Sequence, residues 1–322
     1  MASIFHSLDD LQRWALEQLI AEGVQASPRE LPTVELAPIQ LVLTNPRRRM
    51  ITSAVRKWSL PLAVGEFCWH LSASNELSFI RYYSSRWNDF ADDEQTIRGS
   101  CYGYRFFRQD ESGASQWTVA QNLLRHDPFT RRAVLLMSQP LAASDIDARD
   151  VACASSLQFL LRDGRLDALL HMRSNDAFWG LPYDVFLFTM LQELMAAELG
   201  VELGTYYHSV GSLHLYAKHI QKARNVLEDT TWRDLGMPPL SCPDRLERFV
   251  AVERALRLGT SDAIRVVSEL PDYWRGLAEV LACYSLTKQR NGSTSSLGTI
   301  LNNSLYRHVL SSLADEEASI HK

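Results

Sequence analysis

The stretch SLQFLLRDGRLDALLHMRSNDAFWGLPYDVFLFTMLQELMAAELG, residues 156–200, decides the fold. SLQFLL and RLDALLHMRS flank Arg162-Asp163-Gly164. An Asp-Gly pair between apolar runs is the strongest short-range hairpin signal, because both turn positions favour residues that tolerate positive φ. In the second arm Leu166, Ala168, Leu170 and Met172 alternate with Asp167, Leu169, His171 and Arg173, so the two sets lie on opposite faces. LPYDVFLFTMLQELMAAELG (181–200) then predicts a helix, with Pro182 near its first turn and Gly200 past its end. That helix is apolar nearly all round, which places it at the centre of the protein.

Working outward, LDDLQRWALEQLIAEG (8–23) has Leu8, Leu11, Ala15 and Leu19 at helical spacing and closes on Gly23. IQLVL (39–43) reads as extended, and LPLAVGEFCWHLSA (60–73) as a buried helix with Glu66 as its one carboxylate. Residues 85–117 are aromatic and irregular, a pattern common in functional loops. A helix follows around 117–125, and RRAVLLMS (131–138) predicts a strand. TYYHSVGSLHLYAKH (205–219) reads as one extended segment. Beyond Pro238 the pattern turns amphipathic and helical at 244–258, 261–269, 272–286 and 302–313, with a Gly/Ser/Thr segment at 292–298. The expected organisation is an α/β core over residues 1–225 and a helical subdomain over 226–322.

The chain has 322 residues, a net charge of −5, 46% apolar and 22% charged residues, which is ordinary for a globular protein and unlike a disordered one. A mildly acidic whole argues against a nucleic-acid-coating protein, and no run approaches the roughly 18 apolar residues of a membrane span. MASIFHSLDDLQRW lacks the basic start and apolar run of a signal peptide. Cys68, Cys101, Cys153, Cys242 and Cys283 are odd in number and never in CxxC spacing, which argues against a disulfide framework or a zinc site. The expectation is a cytoplasmic protein with free thiols and no metal.

Individual residues leave their roles open. Cys153 opens the hairpin and is either a small buried hydrophobe or a nucleophile. Arg173 ends the hairpin on its polar face, as a surface ion-pair residue or an anion ligand. Arg131 and Arg132 suit either a solvated strand edge or a phosphate clamp. Asp184, in the first turn of an apolar helix, either complements the helix dipole or faces a site. His214 and Tyr216 alternate onto one face of a strand. Glu66 needs a partner or a raised pKa, and such carboxylates cluster at functional sites.

Together these residues resemble the thymidylate synthase superfamily. Cys153, Gln158-Phe159, Asp163-Gly164, Arg173-Ser174-Asn175-Asp176, Gly180-Leu181-Pro182-Tyr183-Asp184, His214-Leu215-Tyr216 and His219 match its catalytic half without a gap from Cys153 to the His-Leu-Tyr motif. More loosely, Glu66-Phe67-Cys68-Trp69, Trp87-Asn88-Asp89-Phe90-Ala91, Tyr102-Gly103 and Asp127-Pro128 with Arg131-Arg132 resemble the first half. The resemblance covers roughly residues 8–220 and implies an α+β fold (α/β-type) with a large mixed β-sheet packed by helices. It implies that Cys153 adds to pyrimidine C6, with the nearby guanidinium charge lowering its pKa. Glu66 would organise water and move protons. Arg173, with Arg131 and Arg132 from the other subunit of a homodimer, would hold the substrate's phosphate, and Ser174 would also bind substrate. His214 and Tyr216 would hold the sugar hydroxyl. Asp176 and Trp87 would contact folate, and Arg47, in Asn45-Pro46-Arg47-Arg48-Arg49, would add a phosphate contact.

Departures from the thymidylate pattern sharpen the substrate. Asp184 stands where the family has a uracil-reading asparagine. Cytosine offers an N3 acceptor and an N4 amino donor, which a protonated carboxyl matches on both atoms. The same Asn-to-Asp change marks the deoxycytidylate hydroxymethylases of phages and the cytidylate hydroxymethylases of nucleoside-antibiotic pathways. Ala154 replaces the histidine that lies beside pyrimidine O4, and VGSLH replaces the family's GGDxH. The family's C-terminal folate-closing segment is not recognisable. The resemblance therefore implies a folate-dependent cytidylate 5-hydroxymethyltransferase taking CMP or dCMP with 5,10-methylenetetrahydrofolate, and no nucleic-acid or membrane partner. The rivals are a pyrimidine nucleotide C5-methylase and a non-catalytic nucleotide-binding scaffold.

Overall fold

The computed structural model describes residues 2–140, 142–233, 235–289 and 304–311. Its larger sheet has six strands: β1 (Ser3–Phe5), β4 (Ile39–Leu43), β5 (Val134–Leu136), β6 (Ala154–Arg162), β7 (Arg165–Met172) and β9 (Glu202–Val210). They run in the order β1-β4-β9-β7-β6-β5. The sheet is mixed, because β1 pairs with β4 and β7 with β9 in parallel while the other neighbours are antiparallel. A second sheet joins β2 (Val24–Ala26), β3 (Thr33–Leu36), β10 (Leu213–Tyr216) and β8 (Asn175–Asp176) in that order. The fold is α+β.

The β6–β7 hairpin turns at Asp163 and Gly164, whose φ values of 49° and 72° are those the Asp-Gly pair was expected to supply. Leu166, Ala168, Leu170 and Met172 are all buried, so the expected apolar face of β7 is the core face. Against it lies α6 (Gly180–Leu199), ending on Gly200 in the left-handed region at φ 70°. Fourteen of its residues are buried. Each large apolar side chain among them contributes about 1.5–3 kcal/mol of burial. The helix is central, as its composition requires.

The N-terminal helix α1 (Leu8–Glu22) is capped by Ser7, whose hydroxyl accepts the Asp10 N–H. Helix α2 (Leu60–Leu71) is capped by Ser59 in the same way, at the Leu62 N–H. Next come α3 (Leu77–Tyr83), α4 (Tyr102–Phe107) and α5 (Gln116–His126). The approach of α4 to α2 is close: a Cβ at Gly103 would lie 2.0 Å from the His70 carbonyl oxygen, so only glycine fits.

Two expectations need correction. The segment 205–219 is not one strand. It breaks at Gly211-Ser212, so that β9 stays in the large sheet while β10 crosses to the small one, and a 3-10 turn takes Ala217–His219. The strand expected over 131–138 is reduced to Val134–Leu136, the residues that stay in ladder register with β6, while Ala133 and Met137 each keep a single backbone hydrogen bond to it. Helices α7 (Ile220–Leu227), α8 (Leu246–Leu258), α9 (Ala263–Val267) and α10 (Asp272–Gln289) follow, with a last helix at Ser304–Ser311. The Gly/Ser/Thr segment at 292–298 lies outside the described residues. Residues before and after position 225 share one continuous hydrophobic cluster, in which α10 packs on α2 and α8. Among the described residues no helix is long and apolar enough to cross a membrane.

Candidate active site

A cavity of about 1340 Å³ opens between α2, the start of α6, the end of β7 and the C-terminal helices. One-ligand pockets occupy roughly 300–1,000 Å³. This space suits two ligands side by side.

Cys153 lies immediately before β6, with the β6–β7 pairing placing the end of β7 beside it. Arg173, just past β7, donates to the Ala152 and Val151 carbonyls at 3.0 and 2.9 Å, and its Nη2 stands 3.7 Å from the Cys153 Sγ. The guanidinium therefore braces the nucleophile's backbone and puts a positive charge on its sulfur. That charge lowers the thiol's pKa, yet burial outweighs it and the net value rises to about 11. The lowered cysteine pKa expected from sequence is thus corrected: the arginine's pull exists but desolvation exceeds it. Asp150 stiffens the same wall by accepting from the Gly99 and Ser100 N–H groups at 2.7 and 2.9 Å.

Glu66 projects from α2 into the cavity. Burial and the Asp184 carboxylate raise its pKa to about 8, while a hydrogen bond from the Trp87 side chain pulls the other way. Asp184, the fifth residue of α6, is raised to about 7, chiefly by burial, against an Asn175 amide that donates to its Oδ2 at 2.7 Å. These are two neighbouring acids that hold protons near neutral pH. Such pairs are the usual equipment of proton-transfer sites.

Ser174, Asp176, Trp87, His214 and Tyr216 also line the cavity. Ser174 Oγ lies 3.4 Å from His214 Nδ1, and the His214 and Tyr216 rings meet edge to face at 5.1 Å. Asp176 Oδ1 accepts the Phe178 and Trp179 N–H groups, which fixes the turn leading into α6. Trp87 packs edge-on against Trp69 at 5.3 Å.

Three expected phosphate arginines do not line this cavity. Arg47 pairs with Glu193 at 2.6 Å, and buried Arg49 takes the other oxygen of the same carboxylate. Arg47 is thus occupied by the core, which corrects the expected phosphate contact. Arg131 and Arg132 are exposed and stand away from their own chain's cavity.

Sequence reasoning missed Arg29. It lines the cavity from a 3-10 turn, Pro28–Glu30, and its charge acts on both Cys153 and Tyr216. Its φ of 51° is a left-handed conformation that a long side chain adopts only at a cost, a kind of strain that concentrates at ligand sites. Pro28 and Pro32 flag the loop, but nothing in the pattern aims the guanidinium. Tyr102, quoted from sequence only as part of a Tyr-Gly pair, also lines the cavity, stacked on His70 at 5.6 Å, and the α10 residues Tyr284, Thr287 and Lys288 were missed. Sequence marked α10 as amphipathic; only packing on α2 turns its edge into the cavity wall.

With this geometry in place, comparison with known proteins is specific. The thymidylate synthase family model matches residues 15–248. A deoxyuridylate hydroxymethyltransferase from Bacillus phage SP01 is 31% identical over 211 residues, which take in 62% of this chain and 55% of the phage enzyme. The chain thus spans little more than half the length of that relative. Thermostable thymidylate synthase A from Bacillus subtilis superposes with a TM-score of 0.59 at 22% identity, over 69% of this chain and 84% of that one, a likeness of fold. On the extent of the family match, the chain belongs to the thymidylate synthase family.

Proposed function

We propose that the protein is a folate-dependent cytidylate 5-hydroxymethyltransferase, acting on CMP or dCMP. The observation that carries this reading is Asp184: a half-buried carboxyl in the cavity wall with its pKa raised to about 7, in the same cavity as Cys153 and Glu66. A protonated carboxyl donates to cytosine N3 and accepts from the N4 amino group, whereas a neutral amide facing uracil does the reverse, accepting from N3–H and donating to O4.

Cys153 adds as the thiolate to pyrimidine C6, which makes C5 enamine-like and nucleophilic. With a resting pKa near 11, the thiol must pass its proton to a base as it attacks, with Arg173 and Arg29 stabilising the developing charge. 5,10-Methylenetetrahydrofolate would supply the one-carbon unit that C5 takes up, and loss of the C5 proton with departure of tetrahydrofolate would leave an exocyclic methylene on the base. Glu66 handles the protons and orders water for attack on the resulting exocyclic methylene, after which Cys153 is expelled. Arg173, Ser174 and Arg29 bind the phosphate end, and His214 and Tyr216 the sugar. Asp176 and Trp87 contact folate. The size of the cavity supports a site for both molecules.

Arg131 and Arg132 belong in this reading to the neighbouring subunit's phosphate site in a homodimer. Their exposure, together with that of Phe129, Val134 and Leu136 beside them, supports a covered surface there. A cytoplasmic location fits the chemistry.

The test is incubation with CMP, dCMP and dUMP in turn with 5,10-methylenetetrahydrofolate, with products identified by mass. A 5-hydroxymethylcytidylate product is expected, and Cys153→Ser should lose on the order of 10⁴-fold in rate. Conversion of dUMP with neither cytidylate reacting would sink the cytosine reading. That outcome defines the second reading, uridylate hydroxymethylation, which the phage relative favours.

A further inference from the structure

Behind Asp184 runs a line of buried polar groups that the reaction does not touch. Tyr206 and His208 project from the same face of β9 and are fully buried. The Tyr206 hydroxyl lies 2.9 Å from His208 Nδ1, and His208 Nε2 lies 2.9 Å from Asn175 Oδ1. Asn175 Nδ2 then reaches Asp184 Oδ2 at 2.7 Å. Only Asn175 and Asp184 of the four line the cavity. The line joins the two sheets, since β9 belongs to the large one and Asn175 on β8 to the small one.

Every link in it has a direction. An amide oxygen only accepts, so His208 Nε2 carries the hydrogen. A neutral imidazole then offers Nδ1 as an acceptor, which the Tyr206 hydroxyl fills. Burial lowers the His208 pKa to about 3 and keeps the ring neutral. The opposite polarity would have Asp184 donating to the amide and His208 donating to Tyr206. That arrangement strands the phenolic hydrogen, because among the described residues Tyr206 has no acceptor but His208. The hydroxyl at the far end thus selects the direction of the whole line.

We propose that Tyr206 and His208 are positioning residues for base recognition: acting through Asn175, they make Oδ2 of Asp184 an obligate acceptor and confine the carboxyl proton to Oδ1. The consequence is selectivity. Cytosine and uracil present the same two edge atoms with donor and acceptor exchanged. A carboxyl free to carry its proton on either oxygen matches both bases. One whose donor and acceptor oxygens are assigned matches only one. This inference rests on Asp184 being the base-reading group, but it does not depend on which pyrimidine is preferred.

The decisive variant is Tyr206→Phe, which keeps the ring and removes only the hydroxyl. The readouts are calorimetric binding of dCMP and dUMP to the protein without folate, and kcat/KM for each with it. The preference should shrink by about fivefold, chiefly through improvement with the disfavoured nucleotide. His208→Phe should shrink it further, and Tyr206→Phe keeps the test decisive if that variant does not fold. A merely structural role would weaken both nucleotides together, and that result, or an unchanged ratio, overturns the proposal. Asp184→Asn is measured alongside. If it changes the preference while Tyr206→Phe does not, only the positioning line fails. If Asp184→Asn also leaves the preference unchanged, the base-reading role and this inference fall together.

Discussion

Helix α6 carries two inward-facing carboxylates with opposite surroundings. Asp184 opens onto the cavity with an amide as its hydrogen-bond donor, and burial lifts its pKa to about 7. Glu193, farther along the helix, is buried in the core. Arg49, Arg47 and the Leu240 N–H hold its pKa below the ordinary carboxylate value despite burial. The residue class and the helix are the same; what differs is whether a cation shares the site. With one, the carboxylate is a permanent charge that ties the segment after β4, helix α6 and the segment around residue 240 together. Without one, it is an acid that holds its proton into the neutral range.

That contrast breaks most visibly at Arg49. Arg49→Met leaves the buried Glu193 undercompensated and should cost about 3–5 kcal/mol. For a chain of this size the melting temperature should drop by roughly 10 °C. Asp184→Asn should not lower the midpoint at neutral pH, and equal losses in the two variants would erase the distinction. On the cavity side, Glu66→Gln removes the carboxyl proposed to carry protons while preserving shape. It should lower kcat by on the order of 10²–10³-fold with little change in nucleotide binding. A variant with full turnover would take Glu66 out of the chemistry.

A smaller effect separates the two arginines that sequence and structure nominate for phosphate. Arg29→Ala should weaken nucleotide binding roughly 10–30-fold, the usual loss of a charge-assisted contact. Arg47→Ala should leave binding unchanged and lower stability instead. Calorimetric titration and thermal melting distinguish the two, and the reverse pattern would return Arg47 to the phosphate site.

The finest test is the sign of the pH dependence of stability. Asp184 and Glu66 have folded-state pKa values raised to about 7 and about 8 from ordinary values of 3.8 and 4.5. Their contribution is complete below those ordinary values and is lost as pH rises through the folded ones. Each reaches a slope of about 1.4 kcal/mol per pH unit in between. Glu193 behaves oppositely, because its lowered pKa gives stability above the ordinary value that is lost on acidification. Denaturant midpoints should therefore fall less steeply with pH in Asp184→Asn between about pH 4 and 7, where the wild-type carboxyl is protonated only in the folded state. Activity on cytidylates should fall above about pH 7 as Asp184 ionises.

Much of the fold and site was legible in the linear chain, for local reasons. Asp163-Gly164 needs no distant partner to turn a hairpin, and alternation along β7 names its buried face. The helix 181–200 declares its centrality by having no polar side. Cys153, Glu66, Asp184, His214 and Tyr216 could be nominated because their spacings along the chain follow a family pattern, and all five line one cavity. The failures were long-range. Arg47 and Arg29 look alike in sequence, but only the first meets Glu193, a partner 146 residues away. The Cys153 pKa turned on how much burial surrounds the sulfur, a quantity no spacing encodes.

Sequence by itself determined the periodicities, the turn chemistry and the identities of the groups that can attack, donate and accept, because these are properties of side chains and their near neighbours. Tertiary structure decided where the segment 205–219 divides between two sheets, which arginine faces the cavity, and that α10 supplies part of its wall. It also decided the protonation of the acids, since desolvation and cation proximity depend on what the fold brings within a few ångströms. Residues 156–200 carry both kinds of information. Their pattern builds the hairpin and helix, and the packing around that helix makes Asp184 an acid and Glu193 an anchor.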